Sequence, residues 1–81
     1  MFRVGRVTHF YDKLKVAVVE LDAGLSVGDT IKFVRGGEDL FEQKVDSIQV
    51  EHDKVTFADK GSVVGLETKK EVKEGAEVYK L

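Results

Sequence analysis

Gly28-Asp29-Thr30-Ile31-Lys32-Phe33-Val34-Arg35-Gly36-Gly37 decides the fold class. Gly28-Asp29 is a strong turn dipeptide, and it opens directly onto a strand in which Ile31 and Phe33 share one face. Gly36-Gly37 then reverses the chain, since glycine reaches positive φ without steric cost. Turn, alternating strand and hairpin within ten residues describe an antiparallel sheet.

The pattern repeats in both directions. Short runs rich in Val, Ile and Phe recur every eight to twelve residues with Gly or Asp between them, and helical periodicity is almost absent. Seven strands are predicted, at about 2–10, 14–21, 30–35, 40–50, 54–58, 62–68 and 77–81. In the fourth, Phe41 and Val45 share one parity while Ile48 and Val50 share the other. The slip near Asp46-Ser47 predicts a bulge or sharp bend at a barrel corner. Val16 to Leu21 is nearly continuous apolar, so this strand is either covered on both faces or leaves one for a partner. The charged stretch from Thr68 to Glu74 reads as a loop. The expected core is Val7, Val18, Leu21, Ile31, Phe33, Val45, Ile48, Val55, Phe57, Val64, Leu66 and Val78.

Composition narrows the chemistry. The 81 residues make one domain, 42% hydrophobic, with a net charge of −2, which is too apolar for a disordered chain. The absence of cysteine excludes a disulfide scaffold, a thiolate zinc site and a cysteine nucleophile. His9 and His52 stand 43 residues apart. Ser26, Ser47 and Ser62 sit in no nucleophile elbow, and no glycine loop has the Gly-Lys-Ser/Thr ending of a phosphate-binding loop. No catalytic residue, metal or cofactor is expected. No apolar run approaches a membrane span, so a cytoplasmic, non-enzymatic domain is expected.

The charge is unevenly spread. Residues 1–16 carry Arg3, Arg6, Lys13 and Lys15 against Asp12, a balance of +3, and the remainder carries −5. A basic first hairpin suits contact with a few phosphates, with Phe10 and Tyr11 as the aromatic platforms nearest its tip. The acidic remainder and the apolar second strand suit a protein partner instead.

Six short motifs follow in order: Val4-Gly5-Arg6-Val7, Gly24-Leu25-Ser26-Val27-Gly28-Asp29-Thr30-Ile31, Val45-Asp46-Ser47-Ile48-Gln49, Val55 to Ala58, Gly61-Ser62-Val63-Val64-Gly65-Leu66 and Val72-Lys73-Glu74-Gly75-Ala76-Glu77-Val78-Tyr79. Together they resemble domain II of translational GTPases, the small barrel of elongation factor Tu, initiation factor Two and their relatives. A similar barrel also ends some collagenase-like peptidases. The resemblance implies an all-β fold over residues 1–81, a small closed antiparallel barrel of six to seven strands with Greek-key character. It further implies a binding module for tRNA, ribosomal or other RNA; the acidic remainder and the apolar second strand favour the alternative, a protein-interaction domain or adaptor for a separately encoded enzyme or factor. The candidate surface joins Arg3, Arg6, Lys13 and Lys15, taken from the charge balance, to the residues the resemblance points to, the bent-strand Gln49 and His52 and beyond them Glu67. The last three depart from the family's usual side chains at those places, and the GTPase domain itself has no counterpart here.

Overall fold

The computed structural model describes residues 2–81. Ten strands follow one another: β1 Phe2–Tyr11, β2 Val16–Leu21, β3 Leu25–Ser26, β4 Thr30–Arg35 and β5 Glu38–Lys44, then β6 Ile48–Val50, β7 Asp53–Val55, β8 Phe57–Ala58, β9 Val63–Glu67 and β10 Glu77–Lys80. All pairings are antiparallel, and among the described residues there is no helix, hence none long and apolar enough to cross a membrane. Eight strands form one sheet in the order β5-β4-β10-β1-β2-β9-β6-β7, and β3 pairs with β8 in a second, two-stranded sheet.

The sheet is curled, and a short connection shows why. β5 and β6 lie six strand spacings apart in the hydrogen-bonded order, which would be about 29 Å in a flat sheet. Only Val45, Asp46 and Ser47 join them, a reach of roughly 14 Å at full extension. The two ends must therefore bend toward each other. They do not join by a ladder: β5 and β7 are the terminal strands, so the expected closed barrel is corrected to an open, rolled antiparallel sheet. The gap is bridged by a side chain. Gln43, buried on β5, donates from Nε2 to the carbonyl of Glu67 at 2.8 Å and accepts from the amide of Lys69 at 3.0 Å.

The predicted bend is where the phase slip put it, since strand 40–50 breaks into β5 and β6 around 45–47. Val45 stays inside by pairing its backbone with Gly28 and Asp29 instead of with a neighbouring strand. Strand 54–58 divides at Thr56 into β7 and β8, and Leu25–Ser26, read as loop, pairs with β8.

The core fills the inside of the roll with Val7, Leu21, Ile31, Phe33, Val45, Ile48, Val64, Leu66 and Val78, all expected, together with Val4, Ala17, Val19, Leu25, Ala58, Val72 and Ala76. Three expected members are corrected. Val18 faces outward, because in β2 the inward residues are Ala17, Val19 and Leu21. Val55 is half-buried against the core. Phe57 is 54% exposed, because in β8 it is Ala58, paired with Leu25, that turns inward.

Candidate functional site

The outer face of β2, β9 and β6 holds a shallow cleft of about 370 Å³. Its floor follows from strand alternation. With Ala17 and Val19 turned inward, Val16 and Val18 turn out, and with Val64 and Leu66 inward, Val63 and Gly65 turn out. Gly65 pairs with Val18 on one side and Gln49 on the other. A Cβ there would meet Val16 Cγ1 at 3.3 Å and Gln49 Cβ at 3.9 Å, so its absence gives the cleft its depth.

Two hairpin tips form the walls. Tyr11 and Leu14 stand on the β1–β2 turn, which is held in place where the Lys15 carbonyl accepts the amide of Thr68 at 2.8 Å. Glu51 and His52 stand on the β6–β7 turn. Val50 pairs with Asp53, so Glu51 and His52 are the two central residues of a tight hairpin, with φ of 50° and 70°. Positive φ at both positions is the type I′ geometry, usually taken by Asn-Gly. With side chains on both residues it costs on the order of 1–2 kcal/mol each.

No ion pair of the described residues lines the cleft. The ion pairs among them are Arg3 with Asp22 and Glu77, His9 with Glu74, Lys32 with Asp39 and Lys80 with Asp29. Gln49 brings the amide group, and Glu51 and His52 at the lip carry the titratable ones.

The sequence-derived site is only partly assembled. Gln49 and His52 share the cleft with Tyr11, while Phe10 packs half-buried against the core. Glu67 turns away to the seam, where it accepts a hydrogen bond from Ser47 Oγ at 3.0 Å. Arg3 is held between Asp22 and Glu77 at 3.4 and 3.5 Å. Arg6 lies in register between Glu20 and Glu77, where cross-strand acids offset its charge. Lys13 and Lys15 sit at the far end of β1, about 30 Å along the strand from Arg3. The four basic residues therefore make no single patch. Leu14 and Val63 were missed, although the doublet Val63-Val64 signals one outward valine once Val64 and Leu66 are placed inside.

A second cluster ties the 69–75 loop to the sheet. His9 Nδ1 lies 3.2 Å from Glu74 Oε2, and Arg35 Nε donates to the Glu74 carbonyl at 3.3 Å. Among the described residues no serine hydroxyl is bonded to a histidine, and no three His, Asp or Glu side chains gather as a metal site would need.

No family model matches the chain. An "uncharacterized protease" of Methanocaldococcus jannaschii is 41% identical over 78 residues, which is 96% of this chain but 19% of the relative. The chain thus spans about a fifth of the length of the curated relative it matches. Among solved structures, the "C-terminal domain of Geobacillus thermoleovorans putative U32 peptidase" superimposes with a TM-score of 0.90 at 18% identity, covering 99% of this chain and 92% of that one. Its selenomethionine variant gives 0.89 at 18% identity, over 96% and 98%. These matches overturn the translation-factor resemblance, and with it the tRNA, RNA and ribosome module it implied. The physical reason lies in what the six motifs encode. They place turns and a bend, so they report architecture, and architecture is shared by proteins of different function.

Proposed function

We propose that this chain serves as an accessory domain of a peptidase of the U32 type, without a catalytic centre of its own. The 41% identity to a segment of the Methanocaldococcus protease carries the reading, because it extends over 96% of this chain. The fold shared with a peptidase C-terminal domain supports it. So does the chemistry of the surface, where a largely apolar cleft offers contact area rather than a nucleophile paired with a base. The cytoplasmic location expected from the sequence is carried into this reading.

The test is a chimera in which this chain replaces the matching segment of the Methanocaldococcus protease. Assayed side by side on denatured casein, the chimera is expected to match the parent's rate of cleavage, while the 81-residue chain alone leaves the casein intact. Cleavage by the isolated chain, or a chimera that loses the parent's activity, would overturn the proposal.

A further inference from the structure

We infer that the cleft between the β1–β2 and β6–β7 hairpins is where this domain docks the rest of its peptidase polypeptide, through an apolar, uncharged stretch that seats a side chain over Gly65. The inference rests on the accessory-domain reading and names the partner of that same surface.

The patch is contiguous. Leu14, Val63 and Tyr11 are 70%, 53% and 49% exposed, and they stand around half-buried Val16 and Val18. Of the other exposed apolar side chains, two have local company: the Phe2 ring lies 5.9 Å from the Lys80 ammonium, and the Phe57 ring rests on Gly24. Single exposed apolar residues need no partner, whereas a concave cluster bordered by polar groups marks a contact surface.

The hollow is not required by the backbone conformation. Gly65 sits mid-strand without a positive φ, where glycine weakens a strand and is found where another backbone or a ligand approaches closely. The lip is strained as well, for Glu51 and His52 hold a turn that Asn-Gly would hold with less strain. Both features sacrifice stability on the same face, and both shape one cleft.

Charge and chain length select the occupant. Val16, Val18 and Val63 surround Gly65 while Glu51 and His52 stand only at the lip, so a charged side chain seated over Gly65 would be desolvated against apolar neighbours. The curated relative carries about four-fifths of its length outside the matched segment, so a domain of this kind has a large polypeptide beside it to cover an apolar face. Contacts between domains of one chain are of this moderately apolar type.

The chain lacks cysteine, so one introduced thiol reports on one place. Val63→Cys probes the cleft and Leu40→Cys, on β5, serves as the control. Each is labelled with a maleimide in the isolated chain and in the chimera, with the modified peptide read by mass spectrometry. Val63→Cys is expected to react at least about tenfold more slowly in the chimera, in proportion to the fraction undocked. Leu40→Cys should react equally in both. An active chimera in which Val63→Cys reacts as fast as in the isolated chain overturns the inference and leaves the accessory-domain reading standing. An inactive chimera overturns that reading, and the inference with it. Slow labelling of the isolated chain that speeds up on dilution would assign the cleft to a second copy. Protection appearing only when denatured casein is added would assign it to substrate. Either result overturns the docking of the peptidase's own polypeptide.

Discussion

The sheet begins and ends with a two-residue hairpin, and the two are built from opposite materials. At one end β4 and β5 turn through Gly36-Gly37, with φ of 61° and 81° between the paired residues Arg35 and Glu38. At the other end β6 and β7 make the same backbone turn through Glu51-His52. The first hairpin has an outer face of charges, with Lys32 bonded to Asp39 at 3.1 Å. The second forms the lip of an apolar cleft that holds no ion pair. One backbone problem thus has an unstrained solution and a strained one in the same molecule. Fold requirements cannot explain the difference, since Gly36-Gly37 shows what the fold alone would accept. The strained end is also the end with the hollow, and that coincidence is what assigns function to it.

The largest expected effect tests how each hairpin is anchored. Phe33 on β4 is fully buried and packs against Phe41 on β5 with ring centroids 5.0 Å apart. The β6–β7 hairpin places Ile48 in the core from β6, while its outer strand β7 contributes only the half-buried Val55. Urea unfolding of Phe33→Ala should therefore show a loss of about 3–5 kcal/mol, a large share of what a domain of this size has. Val55→Ala should lose about 1 kcal/mol. Equal losses would mean that the two ends are anchored alike.

Exchanging the turns comes next. Gly36→Glu/Gly37→His imports the strained turn into the first hairpin and should cost about 2–4 kcal/mol. Glu51→Asn/His52→Gly relieves the second and should stabilise by a smaller amount, about 1–2 kcal/mol, because the new glycine also frees the unfolded chain. Thermal denaturation of both variants reads the pair. If relieving the second turn destabilises the domain, then Glu51 and His52 serve the fold, and the contrast between the hairpins loses its functional meaning.

The sequence carried the first hairpin more fully than the second, for reasons that reside in particular residues. Gly36-Gly37 announces its turn, and the alternation of Ile31 and Phe33 fixes which face is inward. The slip at Asp46-Ser47 likewise announced the bend, because a change of parity cannot be carried by a straight strand. Val16 to Leu21 offers no alternation to read, so the outward side of Val18 depended on neighbouring strands that only the fold supplies. Phe57 invited a core assignment by its size, yet Thr56 interrupts the strand and hands the inward position to Ala58. His52-Asp53 reads as a turn, one residue late, and Glu51-His52 holds no Gly or Asn to announce positive φ values that the pairing of Val50 with Asp53 imposes. The cleft inherits both difficulties. Gln49 and His52 were legible as members, but Leu14 and Val63 emerge only when three strands are laid side by side. The translation-factor resemblance failed for a related reason, as its glycines specify a rolled sheet and say little about what the outer face meets.

The last test concerns what joins the two ends. The three residues between β5 and β6 hold the roll covalently, and the Gln43 amide holds it by hydrogen bonds, one donated to the Glu67 carbonyl and one accepted from the Lys69 amide. Gln43→Leu keeps the volume roughly constant and removes both bonds, leaving a carbonyl and an N–H without partners beside the core. The cost should be about 1–3 kcal/mol, at the lower end if water enters to satisfy them. Gln43→Glu separates the two bonds. Its carboxylate can still accept from Lys69, but it cannot donate to Glu67, and it places a charge at a buried position next to a carbonyl oxygen. At neutral pH this variant should be less stable than Gln43→Leu, because an unpaired buried charge costs more than an unmade neutral hydrogen bond. If instead both variants unfold with the parent's midpoint, the amide is incidental, and the three residues after β5 alone keep the charged hairpin and the strained one on the same rolled sheet.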